Sequence, residues 1–139
     1  MQVTTQKKPI SQIPDSILCN PSLNKAISLL PSNYNFEVHK TVWRILNEKA
    51  NCSSTMIVGL QFPEGLVQYS FILCDIFSFF CGVDTIIFGD ANYGACCVDD
   101  ISAKSLNVNL LIHYGMIIIR AQLLSSYHSV HGAYNVCIC

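Results

Sequence analysis

The run Gly89-Asp90-Ala91-Asn92-Tyr93-Gly94-Ala95-Cys96-Cys97-Val98-Asp99-Asp100 joins a strongly apolar segment to a helix start. It puts Cys96 within a turn of a helix N-terminus. Partial positive charge there favours the thiolate needed for nucleophilic attack or metal ligation. Gly94 and Ala95 leave room for a bulky group to approach the backbone. Adjacent cysteines point apart, so one of the pair is the candidate ligand and the other packs. The plain alternative is that Cys96 and Cys97 are both small buried hydrophobes.

Other reactive residue types are less telling. Cys19, Cys52, Cys74 and Cys81 lack paired metal-ligand spacing, and Cys74 and Cys81 fit packing on one helix. In the tail, His128-x-x-His131 and Cys137-x-Cys139 offer four donors of zinc type at a spacing that matches no ordinary zinc module. Gln61, Glu64 and His113 stand at or just after strand ends. Glu64 could equally cap its own helix, and His113 could equally be a structural histidine. A phosphate-binding Gly-x-x-x-x-Gly-Lys run, a G-x-S-x-G elbow and a glycine-rich dinucleotide fingerprint are all missing.

The elements that must position these residues follow from hydrophobic periodicity. Met1 to Pro21 is polar with three prolines and reads as an extended lead-in. Ser22 to Leu30 predicts a short helix stopped by Pro31. Phe36 to Lys49 predicts an amphipathic one, with Val38, Val42, Trp43, Ile45 and Leu46 at helical spacing. Thr55 to Gln61 is of buried-strand type. Phe62-Pro63-Glu64-Gly65 then starts a helix to about Phe80, with Leu66, Tyr69, Leu73, Ile76, Phe77 and Phe80 on one face and Gln68 and Asp75 opposite. Cys81-Gly82 ends it. Val83 to Gly89 is a second strand, Asp99-Asp100 seats a helix to about Leu106, and Val108 to His113 is a third strand.

Strand, helix, strand, helix, strand specifies an α/β fold, a three-layer parallel sheet with right-handed crossovers. In such a sheet the strand-to-helix loops share one edge, where ligands bind. Residues 61–65, 90–97 and 113–115 therefore converge on one rim.

Composition narrows the classes. A chain of 139 residues with 12% charged residues and net charge −1 gives no electrostatic basis for direct nucleic-acid binding. Its 51% apolar content raises the question of a membrane span. Leu66 to Val83 is the longest candidate, but Gln68 and Asp75 interrupt it, and an aspartate at a span centre costs about 2.5–3.5 kcal/mol. Leu110 to Ile119 is too short to cross. Both read as core, with no membrane partner. The start lacks a secretory pattern, and eight cysteines without one favour thiols or metal ligands in a reducing, cytoplasmic setting.

Four ordered motifs resemble one family. Tyr34-Asn35-Phe36-Glu37-Val38-His39-Lys40-Thr41-Val42-Trp43-Arg44-Ile45 looks like the N-terminal helix of the diphthamide biosynthesis protein 1 family. These are the catalytic subunits of 2-(3-amino-3-carboxypropyl)histidine synthase. Leu60-Gln61-Phe62-Pro63-Glu64-Gly65-Leu66 resembles the family's first strand-to-helix loop. Gly89-Asp90 with Tyr93-Gly94-Ala95-Cys96-Cys97-Val98-Asp99-Asp100 resembles its first cluster motif, and His113-Tyr114-Gly115 closes the match.

The resemblance implies a three-domain, pseudo-threefold transferase in which each domain donates one cysteine to a 4Fe-4S cluster, here Cys96. S-adenosylmethionine would be cleaved to a 3-amino-3-carboxypropyl radical that is added to a histidine of translation elongation factor 2. Implied partners are a second synthase subunit in a heterodimer, elongation factor 2 and an electron-donor protein. Gln61, Glu64 and His113 become candidates for contacting S-adenosylmethionine.

The similarity is read over roughly residues 10–115. After Gly115, Met116-Ile117-Ile118-Ile119-Arg120 departs from the family's His-Ser-Cys-Leu type continuation. The expected organisation is an N-terminal extension with an amphipathic helix (1–54), an incomplete first α/β cluster-binding domain (55–115) and a divergent tail (116–139). One cysteine cannot hold a cluster alone. The alternative expectation is therefore a truncated, non-catalytic chain, inactive by itself and at most a subunit-binding module.

Overall fold

Apolar residues at 58, 60 and 62 alternate with 57, 59 and 61, and this period-two pattern sets the two faces of a central strand. The computed structural model describes residues 12–89 and 99–114 and the backbone of strand 134–138. Its elements are α1 (Asp15–Leu18), α2 (Pro21–Ile27), α3 (Val38–Ala50), β1 (Ile57–Gln61), a 3-10 stretch (Glu64–Tyr69), α4 (Ser70–Cys81), β2 (Asp84–Phe88), α5 (Asp100–Ser105), β3 (Leu110–Tyr114) and β4 (Tyr134–Ile138). The four strands form one parallel sheet in the order β2-β1-β3-β4. The expected α/β class with a parallel sheet is what the structure has.

One face of the sheet buries Val58, Leu60, Phe62, Leu110, Ile112 and Tyr114 against α3, α4 and the segment before α3. The other packs Phe88, Leu111 and Val108 with Ala103 of α5. Gly59 makes this second face possible. A Cβ there would stand 2.8 Å from Phe88 and 2.9 Å from Leu111, whose side chains close over the bare backbone. Leu23, Phe36, Val42 and Ile45 join the first core, so the N-terminal helices and the sheet share one interior.

Several boundaries differ from the sequence reading. The lead-in contains α1, and α2 begins at Pro21, where Asn20 accepts from the Leu23 N–H at 3.0 Å. Phe36 precedes α3 rather than opening it. Glu37 takes a left-handed conformation (φ 46) with its N–H on Asn35 Oδ1, so the helix starts at Val38. The helix after β1 starts as a 3-10 stretch before settling into α4. The tail supplies β4, parallel to β3, which the sequence reading left without structure.

Glu64–Cys81 is long and apolar enough by length and composition to cross a membrane. It is also the crossover from β1 to β2, with Leu66, Leu73, Ile76 and Phe77 in the core and Gln68 and Asp75 exposed. Gly82 ends α4 with φ 61, and Lys49 of α3 donates to the carbonyls of Cys81 (2.7 Å) and Gly82 (2.8 Å). A cation on the last carbonyls of a helix satisfies acceptors that have no partner within it. Lys49→Met is expected to lower the unfolding free energy by about 1 kcal/mol, read from urea denaturation.

Cys19, Cys52, Cys74 and Cys81 are all free thiols. Burial pushes the Cys81 thiol from its ordinary 9.0 up to about 11, with the Lys49 ammonium opposing. Burial also raises the Tyr114 phenol above its usual range, and the Thr41 hydroxyl opposes that rise. The folded state must keep both protonated, while the unfolded chain ionises them at ordinary values. The Cys81 contribution is therefore fully present below about pH 9 and is lost as pH rises through about 11, and the Tyr114 contribution is lost at higher pH still. Urea midpoints should stay level up to pH 9 and fall above it. A midpoint still level at pH 11 would contradict this linkage.

Candidate functional site

The strand order turns round between β1 and β3, because the chain leaves β1 for β2 and then returns across it. Ligands in open α/β sheets bind beyond the carboxyl ends of the strands at such a switch point. Gln61, the last residue of β1, pairs in register with Phe88 on one side and His113 on the other, and Cys137 stands at the register position beyond His113. Gln61 and His113 are buried, at 0% and 4% exposure, and share the face covered by α5. Two polar side chains thus sit at the ends of apolar strands, on the expected rim.

Gln61 is already engaged. Its Oε1 accepts from the Asp99 backbone N–H at 3.0 Å. Asp99 is the N-cap of α5, and its Oδ1 accepts from the Ser102 N–H at 3.0 Å. On the opposite face, Phe62 and Tyr114 stack with ring centroids 4.7 Å apart and planes 3° from parallel. Phe36 meets Tyr114 edge-on at 6.0 Å and Tyr69 at 5.7 Å. An aromatic layer therefore underlies the ends of β1 and β3.

The structure brings Gln61 and His113 side by side but leaves Glu64 exposed at the start of the 3-10 stretch. Cys96 and its neighbours 90–98 lie outside the described residues, as do His128, His131 and Cys139. Among the described residues no group of three or more His, Cys, Asp or Glu could hold a metal ion. Cys96 alone, the candidate ligand read from the sequence, would fit one ligand of a cluster and not a whole site. A cavity of about 910 Å³ lies elsewhere, between the N-terminal helices and α3, lined by Ile13, Leu30, Tyr34, Phe36 and Trp43 among others. Sequence reasoning missed the tie from Gln61 to Asp99; its one signal was a polar residue ending an apolar strand.

Fold and rim together define a parallel α/β domain with its ligand edge at the β1–β3 switch point. Comparison with known proteins adds the lineage. Residues 62–129 match the diphthamide synthesis protein family, continuing past Gly115, where the sequence reading ends the resemblance. Curated relatives named 2-(3-amino-3-carboxypropyl)histidine synthase subunit 1 align along most of the chain. The Candida albicans relative is 55% identical over 105 residues, covering 76% of this chain and 24% of the relative. The Saccharomyces cerevisiae relative is 50% identical over 107 residues, covering 77% and 24%. The Danio rerio relative is 45% identical over 123 residues, covering 83% and 31%. The chain belongs to the diphthamide synthesis family, and it spans about a quarter of the length of the fungal relatives.

Proposed function

We propose that this chain forms the first domain of a transferase that moves the 3-amino-3-carboxypropyl group from S-adenosylmethionine to a histidine of translation elongation factor 2. This is the first step of diphthamide formation. The whole enzyme is read as three pseudo-symmetric domains, each giving one thiolate to a 4Fe-4S cluster, with Cys96 as the ligand from this chain. When bound, such a cluster would supply the electron for reductive cleavage of a carbon–sulfur bond of S-adenosylmethionine. The residues of this chain place and shield. Gln61 braces the residue at which the 90–98 segment rejoins the fold, and Phe62 and Tyr114 give the strand ends a rigid floor. Partners on this reading are a second synthase subunit, elongation factor 2 and an electron-donor protein, in the cytoplasm.

The observation that supports this most is where the Cys96 segment is hung. Phe88 and Asp99, on either side of it, are both tied to the end of β1, through strand register and through Gln61. The test is anaerobic assay of the natural protein with its partner subunit, S-adenosylmethionine, reductant and elongation factor 2. Mass spectrometry should find one 3-amino-3-carboxypropyl group on a single histidine. An unmodified factor, with cluster present and reductant active, would overturn the reading.

A second reading is a non-catalytic binding module. Phe71 (69% exposed) and Phe79 (81%) on the outer side of α4 favour it, since apolar area of this kind marks interaction surfaces. Iron and sulfide analysis of the purified chain separates the two. Stoichiometric cluster on a monomer would contradict the binding-module view.

A further inference from the structure

α5 has only six residues and buries Ala103 alone, so packing gives it little purchase. A helix this short is marginal unless something outside it holds it in place. What holds it is β1, at both ends. At the start of the strand, Ile57 N–H donates to Asn109 Oδ1 (2.8 Å), and Asn109 N–H returns a bond to Ile57 O (2.9 Å). At the finish, Gln61 Oε1 takes the Asp99 N–H. Two side-chain amides thus fasten the segment 99–109 to the first and last residues of the central strand.

We infer that Gln61 is a positioning residue: its side-chain carbonyl on the Asp99 N–H is the latch that fixes the start of α5 to the switch-point end of β1. The N-cap N–H finds no acceptor inside its own helix, so the acceptor must come from outside. A fully buried amide side chain at a strand end is costly unless it is paired, so its presence there is explained by the bond it makes. Asp99 passes the constraint on, because its carboxylate holds the Ser102 N–H. This role is directed at the protein itself and is separate from the contact with S-adenosylmethionine first read for Gln61. That this latch serves group transfer rests on the transferase reading above; the latch itself does not.

The test uses Gln61→Met, which keeps length and bulk but removes the acceptor, in the protein at its natural length. Hydrogen exchange is expected to speed up roughly tenfold at the Asp99 and Ser102 amides, the factor that loss of one buried hydrogen bond represents. The Asn109 amide at the other fastening should be unchanged. A purely space-filling Gln61 would leave Asp99 exchange at the unaltered rate, and that result overturns the latch. Should the variant not fold, the unaltered protein still decides. A scalar coupling across the hydrogen bond, from Asp99 nitrogen to the Gln61 side-chain carbonyl carbon, is expected, and its absence overturns the proposal. Iron content measured on the same samples speaks to the transferase reading alone. An iron-free unaltered protein would count against that reading and leave the latch to the exchange result.

Discussion

Cys96→Ala is expected to reduce aminocarboxypropyl transfer to background and to remove the iron–sulfur absorbance of the purified enzyme, while Cys97→Ala leaves both close to the unaltered level. The contrast is expected because neighbouring side chains diverge, so that on the cluster reading one thiol would face the metal and the other would pack. Sequence alone attributes ionisation of Cys96 to the dipole of the following helix. Cys96 itself lies outside the described residues. α5 has six residues, and its positive end already carries the Asp99 cap and Asp100 in the first turn. Two carboxylates there oppose the amide dipoles that would favour a thiolate. On the cluster reading, metal binding itself would deprotonate the coordinating thiol. Cluster loading should therefore fall as pH drops, with Cys96 proton release accompanying assembly. Full activity in Cys96→Ala, or equal losses in both variants, would remove the ligand assignment.

Phe62→Ala is expected to cost about 3–5 kcal/mol of unfolding free energy, a large part of a typical domain's margin. Phe62 is fully buried, stacks on Tyr114 and receives no help from solvent. Its N–H is also held by the Phe88 carbonyl at 3.1 Å, so the backbone cannot collapse freely into the space left behind. The cavity would open directly beneath the strand ends. Urea denaturation of the variant checks the figure, and a loss below about 1 kcal/mol would mean the site refills. Tyr114→Leu should behave similarly because it breaks the same stack from the other side.

Much of this fold is written in local pattern. The apolar run 55–61, the Pro63-Glu64 start and the Gly82 stop were readable because each obeys a short-range rule. The faces of α4 came out as its periodicity requires, with Leu73, Ile76 and Phe77 inside and Asp75 outside. What stayed hidden depends on distant partners. The left-handed Glu37 that delays α3 is set by Asn35 and the packing of Phe36. β4 was obscured because Cys137 and Cys139 drew attention as donors, while Tyr134–Ile138 is only a strand once β3 offers an edge. At the site, strand-end logic placed Gln61 and His113 together. It could not see that Gln61 is engaged by a residue 38 positions away. Glu64 looked equivalent in sequence, yet the 3-10 stretch carries it to the surface.

The strand order also sets a sequence of assembly. β1 is central and leaves the ribosome before either of its neighbours, so residues 57–88 can close as a β-α-β unit while β3 is still unmade. Each parallel pairing spans a whole crossover, and such long-range closures are slow steps in folding. The Gln61–Asp99 bond and the Gln61–His113 pairing join only after α5 and β3 arrive. A nascent chain therefore holds Phe62 without its stacking partner until β3 brings Tyr114, and the aromatic floor and the switch point are completed together.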